Sequence, residues 1–183
     1  MSKLRLAIAV WGGLAVAVPT GFAAQAAETP EDKAVASSSA AEAREDMFLT
    51  FGYTQLKNGR FLWKPGSSAT GSARLVISLP DQLVYLYQGD TLVAVSTISS
   101  GEPGRDTPTG IFEVLDKRKF HRSIKYDNAP MPNMQRIDGY GIALHGGHLP
   151  GYPASHGCVR LPPQFASKLF GVTEVGTPVL IGS

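Results

Sequence analysis

The residues best suited to covalent chemistry lie together near the C-terminal end, in "ALHGGHLPGYPASHGCVRLPP" (residues 143–163). This stretch holds His145, His148 and His156, three of the four histidines, and the only cysteine, Cys158. Three chemistries suit these residue types. Imidazole and thiolate both ligate zinc, but neither His-x-x-His nor His-x-Cys forms a strong zinc spacing here. No Asp or Glu lies between His145 and Cys158 to act as a base or to orient a ligand. A lone cysteine is also commonly a small buried hydrophobe, and Val159 and Leu161 alternate with Cys158 and Arg160 as in a short strand. The third chemistry is nucleophilic catalysis. A thiol with a free pKa of about 8.5 is mostly protonated at neutral pH and needs an imidazole to become thiolate. His145 ends a strand-like run and His156 is two residues from the thiol. Gly157 leaves the backbone open, so the N–H groups of Gly157 and Cys158 are candidate oxyanion donors. Arg160 offers a charge that favours thiolate or binds a substrate carboxylate. A cysteine acyltransferase or hydrolase is the best supported of the three.

The elements that must hold these residues read as mostly β. "RLVISL", "QLVYLY" and "TLVAVSTI" are rich in β-branched and aromatic residues, with a turn at Gln88-Gly89-Asp90. A Gly/Pro-punctuated loop (residues 101–110) precedes the strand "IFEVL", and "YGIALH" delivers His145. Pro162-Pro163 opens a short helix bearing Phe165, Leu169 and Phe170 near one face, with Gly171 as its expected stop. "GTPVLIG" closes the chain as a strand. The fold class is mainly β: a compact sandwich or barrel-like domain with one or two short helices, over residues 74–183.

Upstream, Lys3 and Arg5 precede an uncharged apolar run (residues 6–22), and Ala24-Gln25-Ala26 supplies a small-x-small cleavage pattern. Residues 1–26 therefore read as a signal peptide and the protein as exported to the periplasm or cell envelope. An uncleaved segment would be its only membrane attachment; Gly12, Gly13 and Pro19 weaken it as a span. Cleavage removes two of the 17 Lys+Arg, leaving 15 against 15 Asp+Glu, so nothing in the balance recommends nucleic acid as a partner. An exported chain with one cysteine has no intrachain disulfide. Polar, Ala/Ser-rich residues 27–46 read as a flexible linker that could form a transient helix. Residues 47–73, with five aromatics, read as an extension that packs on the domain or forms a hairpin at Asn58-Gly59; a sugar-binding platform is the weaker alternative. The cluster "DKRKFHRSIK" (residues 116–125) reads as a solvated hairpin face or an attractor of anionic polymer.

"SHGCVRL" with upstream "LHGG" resembles the signature of bacterial L,D-transpeptidases of the YkuD type. The resemblance extends through "TPTGIFEV" to "RLVISLPDQLVYLYQGDTLVAVSTISSG" and forward to "GTPVLIG". It implies that Cys158 attacks the carbonyl after the L-centre of diaminopimelate in a peptidoglycan stem tetrapeptide, releasing D-alanine and leaving a thioester. It implies His145 as general base, oriented by the Gly146 carbonyl, with His156, Gly157 and Cys158 shaping the oxyanion site and Ser155 and Arg160 in support. An amine from a neighbouring stem or a wall-anchored envelope protein would resolve the thioester, and no metal or organic cofactor is needed. Hydrolysis at the same site and a non-catalytic wall-binding module are the alternatives. The nine residues between His145 and Ser155 are fewer than in better-known members, where this segment forms part of a substrate lid. His148 falls in this segment as a loop histidine or substrate contact. "NAPMPNMQRIDGYG" is expected to wall the cleft, with Met131 and Tyr140 as contacts.

Overall fold

The computed structural model describes residues 28–64 and 71–183. The predicted signal peptide, residues 1–26, lies outside the described residues. In chain order the elements are α1 (Pro30–Phe51), β1 (Phe61–Trp63), β2 (Ala73–Ser78), β3 (Leu83–Gln88), β4 (Thr91–Thr97), β5 (Gly110–Glu113), β6 (Asp116–Arg118), β7 (Met134–Arg136), β8 (Ala143–Gly146), β9 (Val159–Leu161), α2 (Pro163–Val172) and β10 (Pro178–Gly182). The strands form two sheets, ordered β1-β4-β3-β2-β10-β5 and β6-β7-β8-β9. The pairs β10–β2 and β8–β9 are parallel, and the other neighbours are antiparallel. The fold is mainly β, as the sequence implies.

The six-stranded sheet is covered on both faces, which is why its central strands read as nearly continuous apolar runs. Leu75, Ile77, Val84 and Leu86 face the main core with Leu144, Val159, Leu161 and the α2 residues Phe165, Ala166 and Leu169. Val76, Leu83, Tyr85 and Tyr87 face the other way, onto α1. The rings of Phe61 and Trp63 meet Phe165 at 5.6 and 5.7 Å, so the aromatic extension packs on the domain. The Asn58-Gly59 turn leads into β1, which pairs with β4 and not with a hairpin partner of its own.

The expected flexible linker, residues 27–46, is corrected by α1, which also runs across the predicted boundary at residue 47. Thr29 caps its start, its Oγ1 accepting from the Asp32 N–H (3.2 Å), and Gly52 ends it in the left-handed region at φ 74°. Ala36, Ala40, Ala43 and Met47 form the buried stripe at helical spacing. Three of those four are alanines, which bury little surface but allow a close approach. A Cβ on Gly182 would come within 2.8 Å of the Ala36 carbonyl oxygen. Polar ties finish the docking: Arg44 Nε and Nη2 donate to Asp81 (2.9 and 2.5 Å), and the Tyr87 hydroxyl donates to Asp46 (2.7 Å). Among the described residues, no helix is long and apolar enough to cross a membrane.

Helix α2 passes the expected stop at Gly171 by one residue. The Thr173 N–H donates to Leu169, and Lys117 Nζ donates to the carbonyls of Phe170 (2.8 Å) and Thr173, satisfying the helix end.

Candidate active site

The four-stranded sheet sorts its side chains by register. Leu144 pairs with Val159, His145 with Arg160, Arg136 with Ala143, Asp116 with Arg136, and Arg118 with Met134. Successive residues point to opposite faces. Leu144, Val159, Leu161 and Gln135 therefore go to the interior, while Ala143, His145, Met134, Arg136 and Arg160 face a cleft of about 1240 Å³. Cys158 immediately precedes β9, so continuing the pairing by one residue sets it opposite Ala143. His145 is then its diagonal neighbour on the same face. An excursion of twelve residues (146–157) thus brings two sequence-distant groups onto one floor.

His145 is buried, and its Nδ1–H donates to the Gly146 carbonyl at 3.0 Å. A carbonyl only accepts, so this bond fixes the tautomer and leaves the Nε2 lone pair free. Burial pushes the imidazole below its usual range; the Gly146 carbonyl opposes this, and the charges of Arg160 and His121 add to it. Burial likewise pushes the Cys158 thiol up, against the pull of the Ala143 N–H; Asp138 raises it further and Arg160 lowers it. Both directions favour a resting pair of neutral imidazole and thiol over a preformed ion pair.

The loop that carries Cys158 is held by hydroxyls. Thr107 Oγ1 accepts from the Gly101 N–H (2.9 Å) and donates to the Gly157 carbonyl (2.8 Å). Ser155 Oγ accepts from the Gly157 N–H (3.1 Å) and donates to the Cys158 carbonyl. Gly157 has φ 111°, and a Cβ there would meet Ile142 Cδ1 at 2.6 Å, so the position requires glycine. Since its N–H turns inward to Ser155, the Gly157 amide does not serve the cleft. Asp138 accepts from the N–H groups of Tyr140, Gly141 and Ile142 (2.9, 2.7 and 2.8 Å), building the turn that places the Gly141 carbonyl 3.8 Å from Cys158 Sγ.

Residues 119–133 continue the antiparallel β6–β7 pair, with Arg122 bridged to Pro130, so the basic cluster lies on a largely exposed hairpin that also roofs the cleft. Its Tyr126 ring stacks on His156 at 4.4 Å and 15°. The short segment of residues 146–154 is pinned to the body. Asn58 Nδ2 donates to the Leu149 carbonyl (2.9 Å), Ser99 Oγ donates to the Tyr152 carbonyl (2.8 Å), and the Ala154 N–H donates to Ser100 (3.0 Å). His148 still lines the cleft, exposed. Met131 is buried against Cys158, whereas Tyr140 stands at the rim, 92% exposed. Among the described residues, no group of three or more His, Cys, Asp or Glu side chains converges as a metal would require.

Four contributing residues escaped the sequence reading: Thr107, Asp138, Tyr126 and Arg136. Thr107 sits in the quoted "TPTG", where the signal existed without a partner; the others depend on register and loop paths that spacing does not encode.

The family model of the YkuD L,D-transpeptidase catalytic domain matches residues 72–181. The chain belongs to this family. Among solved structures, an L,D-transpeptidase from Mycobacterium tuberculosis H37Rv matches with TM-score 0.59 and 21% identity, over 61% of this chain and 58% of that one. One from Mycobacterium smegmatis matches with TM-score 0.57 and 18% identity, over 61% and 59%. An Enterococcus faecium L,D-transpeptidase, solved as a cysteine-to-serine mutant, is 27% identical with TM-score 0.54, over 61% and 50%. The match spans less than two thirds of each of these chains. No protein with curated annotation matches in sequence. The YkuD match takes in the four-stranded sheet and, β1 apart, the strands of the six-stranded one, and His145 and Cys158 lie within it.

Proposed function

We propose that the protein is an exported L,D-transpeptidase that acts on peptidoglycan stem tetrapeptides through a thioester at Cys158. The observation that carries this reading is the shared floor of His145 and Cys158, with the imidazole tautomer set by Gly146. As the substrate enters, Cys158 Sγ attacks the carbonyl that follows the L-centre of the third residue, and the thiol proton passes to His145 Nε2. The tetrahedral oxyanion is met by the Cys158 N–H, the motif amide not turned to Ser155. Collapse expels the D-alanine amine, which takes the proton back from His145, and leaves the thioester. An acceptor amine, from a neighbouring stem or a wall-anchored envelope protein, gives its proton to His145 and attacks the thioester, restoring the thiol. The neutral resting pair suits this cycle, because the base needs a free lone pair when the thiol arrives protonated.

His156 contributes its ring to the roof stack, and Arg160 lies beside His145, where its charge adds to burial in favouring the neutral imidazole. The test is muropeptide analysis with a defined tetrapeptide donor. Wild type should release D-alanine and form a cross-link, and Cys158→Ala should do neither while keeping its fold. Release of D-alanine without a cross-link would convert the reading to hydrolysis.

A further inference from the structure

The cleft contains a cation that the acyl-transfer cycle does not use. We propose that Arg136 forms a carboxylate subsite, reading a second carboxylate on the side chain of the residue acylated at Cys158. This deepens the acyl-transfer reading and rests on it.

The register sets Cys158, Ala143, Arg136 and Asp116 in one row across β9, β8, β7 and β6. Strands lie about 4.8 Å apart, so the backbones of Cys158 and Arg136 are separated by roughly 10 Å. Between them stands only the methyl of Ala143, with Met131 and Met134 alongside as an apolar floor. An acyl carbon over the thiol leaves room along that floor for about three or four methylenes before an end group meets the guanidinium. The apolar floor suits methylenes, and the guanidinium at its end suits a carboxylate, which it can bind with two parallel bonds.

The charge of Arg136 is available for this. Its Nη1 donates to the Asp138 carbonyl at 3.1 Å, which aims the group without neutralising it. Asp116, directly opposite, is held by Arg118 Nε at 2.9 Å. Among the described residues no carboxylate lies within ion-pair distance of Arg136. The other cleft arginines are placed differently. Arg118 is paired with Asp116, and the Arg160 stem runs along Gly147 in the neighbouring row, beside His145.

The test uses the full chain and two tetrapeptide donors that differ only in the distal group of the third residue, a carboxylate or its primary amide. Wild type should favour the carboxylate donor by about ten- to hundredfold in kcat/KM for D-alanine release. Arg136→Gln should bring the two donors within about threefold of each other, whereas Arg118→Gln should keep the preference. Alkylation of Cys158 by iodoacetamide reports that the thiol site is intact in each variant. Equal turnover of both donors by wild type, a measurement that needs no variant, would overturn the inference and leave acyl transfer standing. So would a preference that survives Arg136→Gln or disappears in Arg118→Gln. Failure of wild type to release D-alanine from either donor would overturn the acyl-transfer reading and the subsite with it.

Discussion

Replacing Thr107 with valine keeps the shape of the side chain and removes one hydroxyl. That hydroxyl is buried and joins two backbone groups from different segments, the Gly101 N–H at 2.9 Å and the Gly157 carbonyl at 2.8 Å. Valine leaves both without a partner in a place water does not easily reach. Each buried orphan costs about 1–3 kcal/mol, partly offset because the hydroxyl no longer needs desolvation, for a net loss of about 2–4 kcal/mol. In a protein of this size that corresponds to a fall in Tm of about 4–16 °C. The same change frees the peptide before Cys158, so kcat/KM should fall at least about tenfold, since misplacement by an ångström costs about a hundredfold. Urea unfolding should show a lower midpoint with an unchanged m-value, and Thr107→Ser should restore most of both losses. A valine variant within about 0.5 kcal/mol of wild type would refute the role of this hydroxyl. So would a serine variant as damaged as the valine one.

Gly182→Ala drives a methyl into the α1 backbone at Ala36 and should cost about 1–3 kcal/mol in urea unfolding; a neutral effect would mean that α1 does not dock as described. Because burial holds the His145 pKa below 6.5, the acidic limb of kcat/KM should have its midpoint below pH 6.5, and His145→Gln should abolish that limb. Stability carries the same sign. The unfolded chain protonates first, so stability falls as pH drops through 6.5 towards the lower folded value, and His145→Gln should remove that part of the acid loss in pH-dependent urea melts. Tyr126→Ala removes the stack on His156 and should speed alkylation of Cys158 by bulky maleimides more than by iodoacetamide; equal acceleration would argue against a roof.

Legibility in the sequence followed the physics of each element. Strands β2, β3 and β4 were readable because both faces are buried and their runs are densely β-branched. Helix α1 was not, because a stripe of Ala36, Ala40 and Ala43 looks the same in a docked helix and in a polar tether. Strands β6 and β7 have three residues each, too few for a period, and they are defined by their partners. At the site, His145 and Cys158 stood out by residue type and by the glycines around them. Arg136 and Asp138 did not, because cross-strand register and turn closure decide what they face. In sequence Gly157 offers an open amide, yet the structure turns its N–H to Ser155, a choice set by a hydroxyl two residues away.

The central claim is that Cys158 carries the acyl group. Intact-mass measurement after brief mixing with a tetrapeptide donor, without acceptor, addresses it directly. The account predicts a mass increase equal to the donor minus D-alanine, located at Cys158 by peptide mapping and absent from Cys158→Ala. A carbapenem, as a strained acyl donor, should label the same residue. Turnover of the tetrapeptide by Cys158→Ala, or an adduct that maps to another side chain, would contradict it.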